Sequence, residues 1–171
     1  RRVVLKEARD QKRNSYSKYP VKTKNRNRKS VLIERVDKYF SQLIRLTDAV
    51  KGSDGKMYNR CFTCDALRPV SKKKGGLHCG HFHSRRHMGT RWHPENCRPQ
   101  CYQCNCNEEG VKPLFRLYLS NELLDRGVRE LDLLAYSNSH VPNELELEAM
   151  AKEFRQQVKE LQIKQGVKTF K

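Results

Sequence analysis

The sequence predicts a small α+β fold: a cysteine-clamped β core flanked by α-helices and preceded by a basic N-terminal arm. Three observations carry that expectation. Cys61-x-x-Cys64 and Cys101-x-x-Cys104 are paired-thiol motifs that enclose short strand-like segments. Apolar residues at helical spacing flank that region on both sides. Residues 1–29 carry twelve Lys/Arg against only Glu7 and Asp10.

Four regions follow in order. Residues 1–29 show no sustained period and are rich in Lys, Arg, Asn and Ser, as expected of a solvated arm. Ser30 opens a helical segment over 30–52, in which Leu32, Val36, Tyr39, Phe40, Leu43, Ile44 and Leu46 recur on one face until Gly52-Ser53-Asp54-Gly55 marks a turn. Residues 53–112 form the clamped core. Within it, Met57 to Phe62 reads as a strand, Lys72-Lys73-Lys74-Gly75-Gly76 as a loop or hairpin, and Leu77 to Phe82 as the next strand. A short helix is expected around Glu108 to Gly110.

Residues 113–171 read as helical. Leu114, Phe115, Leu117, Tyr118, Leu123 and Leu124 lead to a break at Gly127, and Val128, Leu131, Leu134 and Ala135 continue beyond it. Asn143 with Glu146 forms an N-cap pair for a last helix whose stripe is Leu147, Ala151, Phe154, Val158 and Leu161, ending near Gly166. That stripe is expected to pack on the 30–52 helix or on the 113–136 pair, with homodimerisation as the alternative.

A formal net charge of +17 on 171 residues exceeds what solubility requires and points to a polyanionic partner, DNA or RNA. Mean hydropathy of −0.91 leaves only a small core, so bound metal is expected to contribute much of the folding free energy. The seven cysteines all lie between Cys61 and Cys106, and an odd number fits thiolate chemistry in a reducing, cytoplasmic setting better than a disulfide framework. No apolar run is long enough for a membrane span, and no secretory signal is visible.

The two C-x-x-C pairs offer Cys61, Cys64, Cys101 and Cys104 to a tetrahedral, structural zinc. Cys79, Cys97 and Cys106 read as small buried or partly buried residues, although a set using Cys97 with Cys101 has a tolerated spacing. Five of the six histidines fall between His78 and His93, inside the clamp. Chemistry is therefore expected between the cysteine pairs. Arg85, Arg86 and Arg91, with Lys72, Lys73 and Lys74, form a basic track suited to phosphate contacts.

The order C-x-x-C, strand, Gly80-His81, loop, Asn96, then Cys101-x-x-Cys104-Asn105 and Glu108 resembles the zinc-stabilised ββα-metal, or HNH, nuclease site. The resemblance implies His81 as general base, Asn96 as the brace of the connecting loop, and Asn105 as an oxygen ligand for Mg²⁺ or Mn²⁺. Glu108 matches an acidic position in junction resolvases of the endonuclease VII type, with Glu95, Glu109, His78 or His83 as further candidate ligands. One position departs from the pattern: HNH sites place an Asp before the base, and here Gly80 stands there.

A closer similarity spans residues 28–162. Cys61-Phe62-Thr63-Cys64, Cys79-Gly80-His81-Phe82, Arg91-Trp92-His93-Pro94-Glu95-Asn96-Cys97, Gln100-Cys101-Tyr102-Gln103-Cys104-Asn105 and Glu146-Leu147-Glu148-Ala149-Met150 resemble the lambdoid phage NinG, or Rap, recombination proteins. That family implies a structure-specific endonuclease acting on Holliday junctions and D-loops in the bacterial cytoplasm. Two alternatives remain: a zinc-stabilised DNA-binding recombination protein without catalysis, and an HNH nickase that cuts linear duplex.

Overall fold

A computed structural model of the chain describes residues 27–71, 75–107, 111–137 and 140–166. Most of the basic arm, together with Lys72, Lys73, Lys74 and Glu108, lies outside the described residues.

Helix α1 (Arg28–Leu46) begins two residues before Ser30, because Asn27 is the residue that caps it, accepting from the Lys29 amide at 2.8 Å. Leu32, Val36, Phe40 and Ile44 recur every fourth position and are buried. The helix stops at Leu46, short of the expected Lys51. Asp48 turns the chain at φ +60°, and Val50–Lys51 pairs as strand β1 with β2 (Met57–Arg60).

Strands β1, β2 and β3 (Leu67–Pro69) form an antiparallel sheet in sequence order. Strand β2 ends at Arg60 rather than Phe62, because Cys61 to Cys64 curls into a knuckle between β2 and β3. There the Asp65 amide donates to the Cys61 carbonyl at 2.8 Å and Cys61 donates to Ala66 at 3.0 Å. A second antiparallel pair joins β4 (Leu77–His81) to β5 (Cys97–Cys101), with His81 opposite Cys97 and Leu77 opposite Cys101. The chain between them, 82–96, closes in a 3₁₀ turn at Pro94–Asn96. After β5 comes a π-helical turn, Gln103–Asn107, and the short helix expected around Glu108 to Gly110 lies outside the described residues.

Helix α2 (Lys112–Tyr136) is broken at Leu124, which has φ 61° and ψ 166°. The expected break at Gly127 is instead helical. The two halves share one core of Phe115, Leu119, Val128 and Leu131 around Phe82, so they cover one another and the start of the 82–96 loop. Helix α3 (Glu144–Lys164) carries a complete capping box: Asn143 Oδ1 accepts from the Glu146 amide at 3.0 Å, and the Glu146 carboxylate accepts from the Asn143 amide at 2.7 Å.

Its apolar stripe packs on α1. Leu147 and Ala151 join Leu32, Val36 and Phe40 in the largest core cluster, and the Phe40 and Phe154 rings stand 5.2 Å apart. Cys79, Trp92 and Cys97 complete that cluster, so the helix pair is the platform under the β4–β5 hairpin. The stripe read as a possible dimer seam is thus covered within the chain. No described helix is long and apolar enough to cross a membrane.

Leu147 is fully buried at the α1–α3 contact. Leu147→Ala should lower unfolding free energy by about 2–5 kcal/mol, read as a shifted denaturant midpoint, because the cavity adds to the lost transfer energy.

Candidate metal centre and catalytic cavity

The Cys61–Cys64 knuckle, the end of β5 and the π-helical turn bring four sulfur atoms together. Those of Cys61, Cys64, Cys101 and Cys104 all lie within 4.8 Å of one another, and Cys64 Sγ is 3.8 Å from Cys101 Sγ. A regular tetrahedron with zinc–sulfur bonds of about 2.3 Å has edges of about 3.8 Å, so these cysteines can hold a structural zinc.

Their protonation fits that role. Burial alone would raise the Cys61 thiol, but the Thr63 hydroxyl and the backbone amides of Cys101, Cys64 and Thr63 draw it down to about 6. Cys104 is pushed up to about 12, first by burial and then by the neighbouring sulfurs. One thiolate forms readily and the next resists, which is how a sulfur cluster behaves until a cation compensates the charge.

The alternative pairing of Cys97 with Cys101 is excluded by the strand. Both lie on β5, four residues or about 13 Å apart at strand rise, too far for one ion. Cys97 meets Cys79 and His81 instead. Cys79 and Cys97 are buried as expected, whereas Cys106 is exposed.

Asn96 is completely buried. Its Oδ1 accepts from the His83 amide at 2.8 Å, and its Nδ2 donates to the carbonyls of His83 and Thr90 at 3.0 and 2.9 Å. One side chain therefore ties both ends of the loop that leaves β4. Lys112 donates to the carbonyls of His81 and Phe82 from the other side. His83 Nε2 meets Asp132 Oδ1 at 2.8 Å, and His87 Nδ1 meets the Ala135 carbonyl at 2.8 Å, so both rings anchor the loop to α2.

His81, Asn105, His78 and Arg85 line one small cavity of about 60 Å³ together with Asp37, Phe40, Ser41 and Cys79. A larger groove of about 1120 Å³, lined in part by the knuckle, contains none of His81, Asn96 and Asn105. The His81 ring is wedged between two carbonyls, with Nδ1 3.1 Å from Cys79 O and Nε2 3.2 Å from Arg91 O. Burial and the Arg85 charge depress its pKa to about 4, against the pull of those carbonyls and of Asp37. The ring is therefore neutral at physiological pH and a weaker base than the unperturbed histidine expected from sequence.

Asp37 is the residue that sequence reasoning missed. It reaches the cavity from α1, where Arg91 clamps it with Nε at 3.1 Å and an Nη at 2.7 Å, and Trp92 Nε1 donates to it at 2.8 Å. Burial works against the charged form, but these partners and Arg85 hold the carboxyl below its usual range. Arg91 is thereby committed to Asp37, with its other Nη donating to the Arg85 carbonyl at 2.8 Å. Of the three loop arginines, Arg85 and Arg86 face solvent.

Gly80 has a steric cause. It crosses Gln100 on the same face of the hairpin, and a Cβ at position 80 would lie 2.6 Å from Cδ and 2.7 Å from Cγ of that residue, in addition to meeting its Oε1. Gln100 is itself fully buried. The carboxylate of the HNH pattern has no room here. No protein-family model, curated protein or solved structure matches the chain.

Two outcomes follow from this geometry. Cys101→Ser should release the zinc held by the four-cysteine cluster and lower the melting temperature, whereas Cys106→Ser leaves metal content unchanged, both read by elemental analysis and thermal melts. Gly80→Ala should cost about 1–3 kcal/mol by overpacking, with part of the loss recovered when Gln100→Ser is added; strict additivity in that double-mutant cycle would contradict the contact.

Proposed function

We propose that the chain is a metal-dependent DNA endonuclease acting on branched DNA, built on a zinc-stabilised ββα-metal core. The observation that carries this reading is the convergence of His81, Asn105 and Arg85, from three separate segments, on one cavity beside the four-cysteine cluster. The chain's excess positive charge supports a nucleic-acid substrate.

In this reading the neutral His81 ring accepts the proton of the attacking water, and Asn96 keeps the loop carrying the Arg91 carbonyl fixed against it. Arg85 and Arg86 hold the phosphates flanking the scissile bond, contacts that position the backbone without reading bases and so suit recognition of branch shape. Asn105 and His78 are the described donors for a catalytic divalent ion, with Glu108 as the proposed carboxylate ligand. Such an ion supplies charge neutralisation at the cleaved phosphate. Asp37 does not serve, since its oxygens are held by Arg91 and Trp92. A donor set mixing imidazole with amide oxygen favours Mn²⁺ over Mg²⁺.

The competing reading is a DNA-binding recombination protein without catalysis, and the closed position at Gly80 favours it. Labelled four-way junction and linear duplex, incubated with Mg²⁺ or Mn²⁺, separate the possibilities. Cleavage of the junction alone supports the proposal, cleavage of both indicates a general nickase, and binding without cleavage under any ion favours the binding protein. His81→Ala should lower the cleavage rate by about 10²–10⁴ with binding retained.

The depressed pKa sets the pH dependence. A base titrating near 4 stays deprotonated through neutral pH, so the rate should be flat in this group between about pH 6 and 8 and fall only on strong acidification. A half-maximal rate near 6.5 would show an unperturbed ring. The arm acts separately: removing residues 1–26, which leaves the Asn27 cap intact, should weaken binding to all DNA and flatten its salt dependence while junction preference persists.

A further inference from the structure

The β4–β5 hairpin carries a second group of metal-ligand side chains. His81 lies directly opposite Cys97, and Cys79 precedes His81 by two residues, so the period of a strand puts all three on one face. Their ligand atoms lie within 4.8 Å of one another. We propose that Cys79, His81 and Cys97 form a second site for a borderline divalent ion such as Zn²⁺, separate from the four-cysteine centre.

Three features argue for a ligand set over a chance meeting of core residues. A neutral imidazole has one N–H, yet both His81 nitrogens face carbonyl oxygens. One lone pair is therefore set against a carbonyl, an unfavourable contact, and a cation takes that nitrogen when the ring turns or the carbonyl moves aside. Next, Arg45 is buried, and its described hydrogen bonds go to the Ser41 and Val70 carbonyls rather than to a carboxylate. Its charge lies close enough to interact with Cys79, so a cationic partner already stands beside the ligand sulfurs.

Finally, two thiolates and an imidazole are a known zinc donor set that leaves a fourth position open. Cys79 and His81 also line the cavity, which gives that position access to water or substrate. The site sits on the same hairpin face as Cys101 but about 13 Å along β5 from it, so the two ions share no ligand.

The proposal is independent of the nuclease reading, because its test counts metal and does not use cleavage. If both hold, a ring nitrogen that binds metal cannot take a proton, and added Zn²⁺ inhibits cleavage while the Mg²⁺- or Mn²⁺-supported rate is restored by a zinc chelator too weak to strip the four-cysteine centre.

The experiment saturates the chain with Zn²⁺, removes excess by desalting, and counts bound ions by native mass spectrometry. Two ions per chain are expected, with Cys97→Ser and His81→Gln each losing half and Cys106→Ser losing none. If Cys97→Ser loses both ions along with its helical circular dichroism, His81→Gln decides, since it leaves the buried sulfurs in place. Co²⁺ in place of Zn²⁺ should show two sets of sulfur-to-metal bands, one absent in His81→Gln. A single ion in the wild-type chain overturns the proposal, as does an unchanged count in His81→Gln or a Cys79–Cys97 disulfide-linked peptide in the protein as purified.

Discussion

The four sulfur atoms of Cys61, Cys64, Cys101 and Cys104 are the junction on which the β core depends. They join the knuckle of one sheet to the end of a strand in the other and to the π-helical turn that presents Asn105. Hydrogen bonding reinforces the same seam, with the Phe62 amide donating to the Pro99 carbonyl at 2.8 Å and the Cys101 amide to Cys61 Sγ at 3.3 Å. A two-stranded sheet and a short three-stranded sheet bury too little apolar surface to stand alone. A zinc ion on these four sulfurs would supply what the core lacks and would fix the distance between Asn105 and the hairpin that carries His81.

A second constraint fixes the cavity wall. Asp37 on α1 gathers Arg91 and Trp92, and Trp92 in turn packs in the α1–α3 core. The clamp places the Arg91 carbonyl against the His81 ring and holds the backbone of the arginine loop to α1. Charge is used here to build, because a half-buried carboxylate with two arginines nearby stays ionised and cannot be removed without leaving a guanidinium uncompensated. The same pairing occupies Arg91, whereas its loop neighbours Arg85 and Arg86 are exposed.

How far the sequence revealed this depends on how local each feature is. The α3 capping box was legible because Asn143 and Glu146 complete it within three residues. The cysteine pairs were legible because two ligands at x-x spacing can chelate wherever they fall, whereas the residues alone did not single out Asn96, whose bracing role was implied only by the resemblance to HNH sites. Asp37 was not legible. Its partner Arg91 lies 54 residues away, and nothing along α1 distinguishes it from a solvent-facing acid. The helix break was placed at Gly127 because glycine is the local signal, whereas the chain turns at Leu124, where packing of both halves on Phe82 outweighs the cost of a positive φ.

The two faces of the β4–β5 hairpin meet different constraints at Gly80 and at the cysteines. A carboxylate at the position before His81 needs a Cβ, and Gln100 fills that space. The opposite face of the same hairpin carries Cys79, His81 and Cys97, with Arg45 and Arg85 close enough to act on Cys79 and His81. Thiolate ligands carry charge that offsets both nearby arginines and a bound ion, which neutral oxygen donors do not. This face of the hairpin therefore presents sulfur and nitrogen donors rather than oxygen donors. What it binds should follow that softness, whichever role His81 plays.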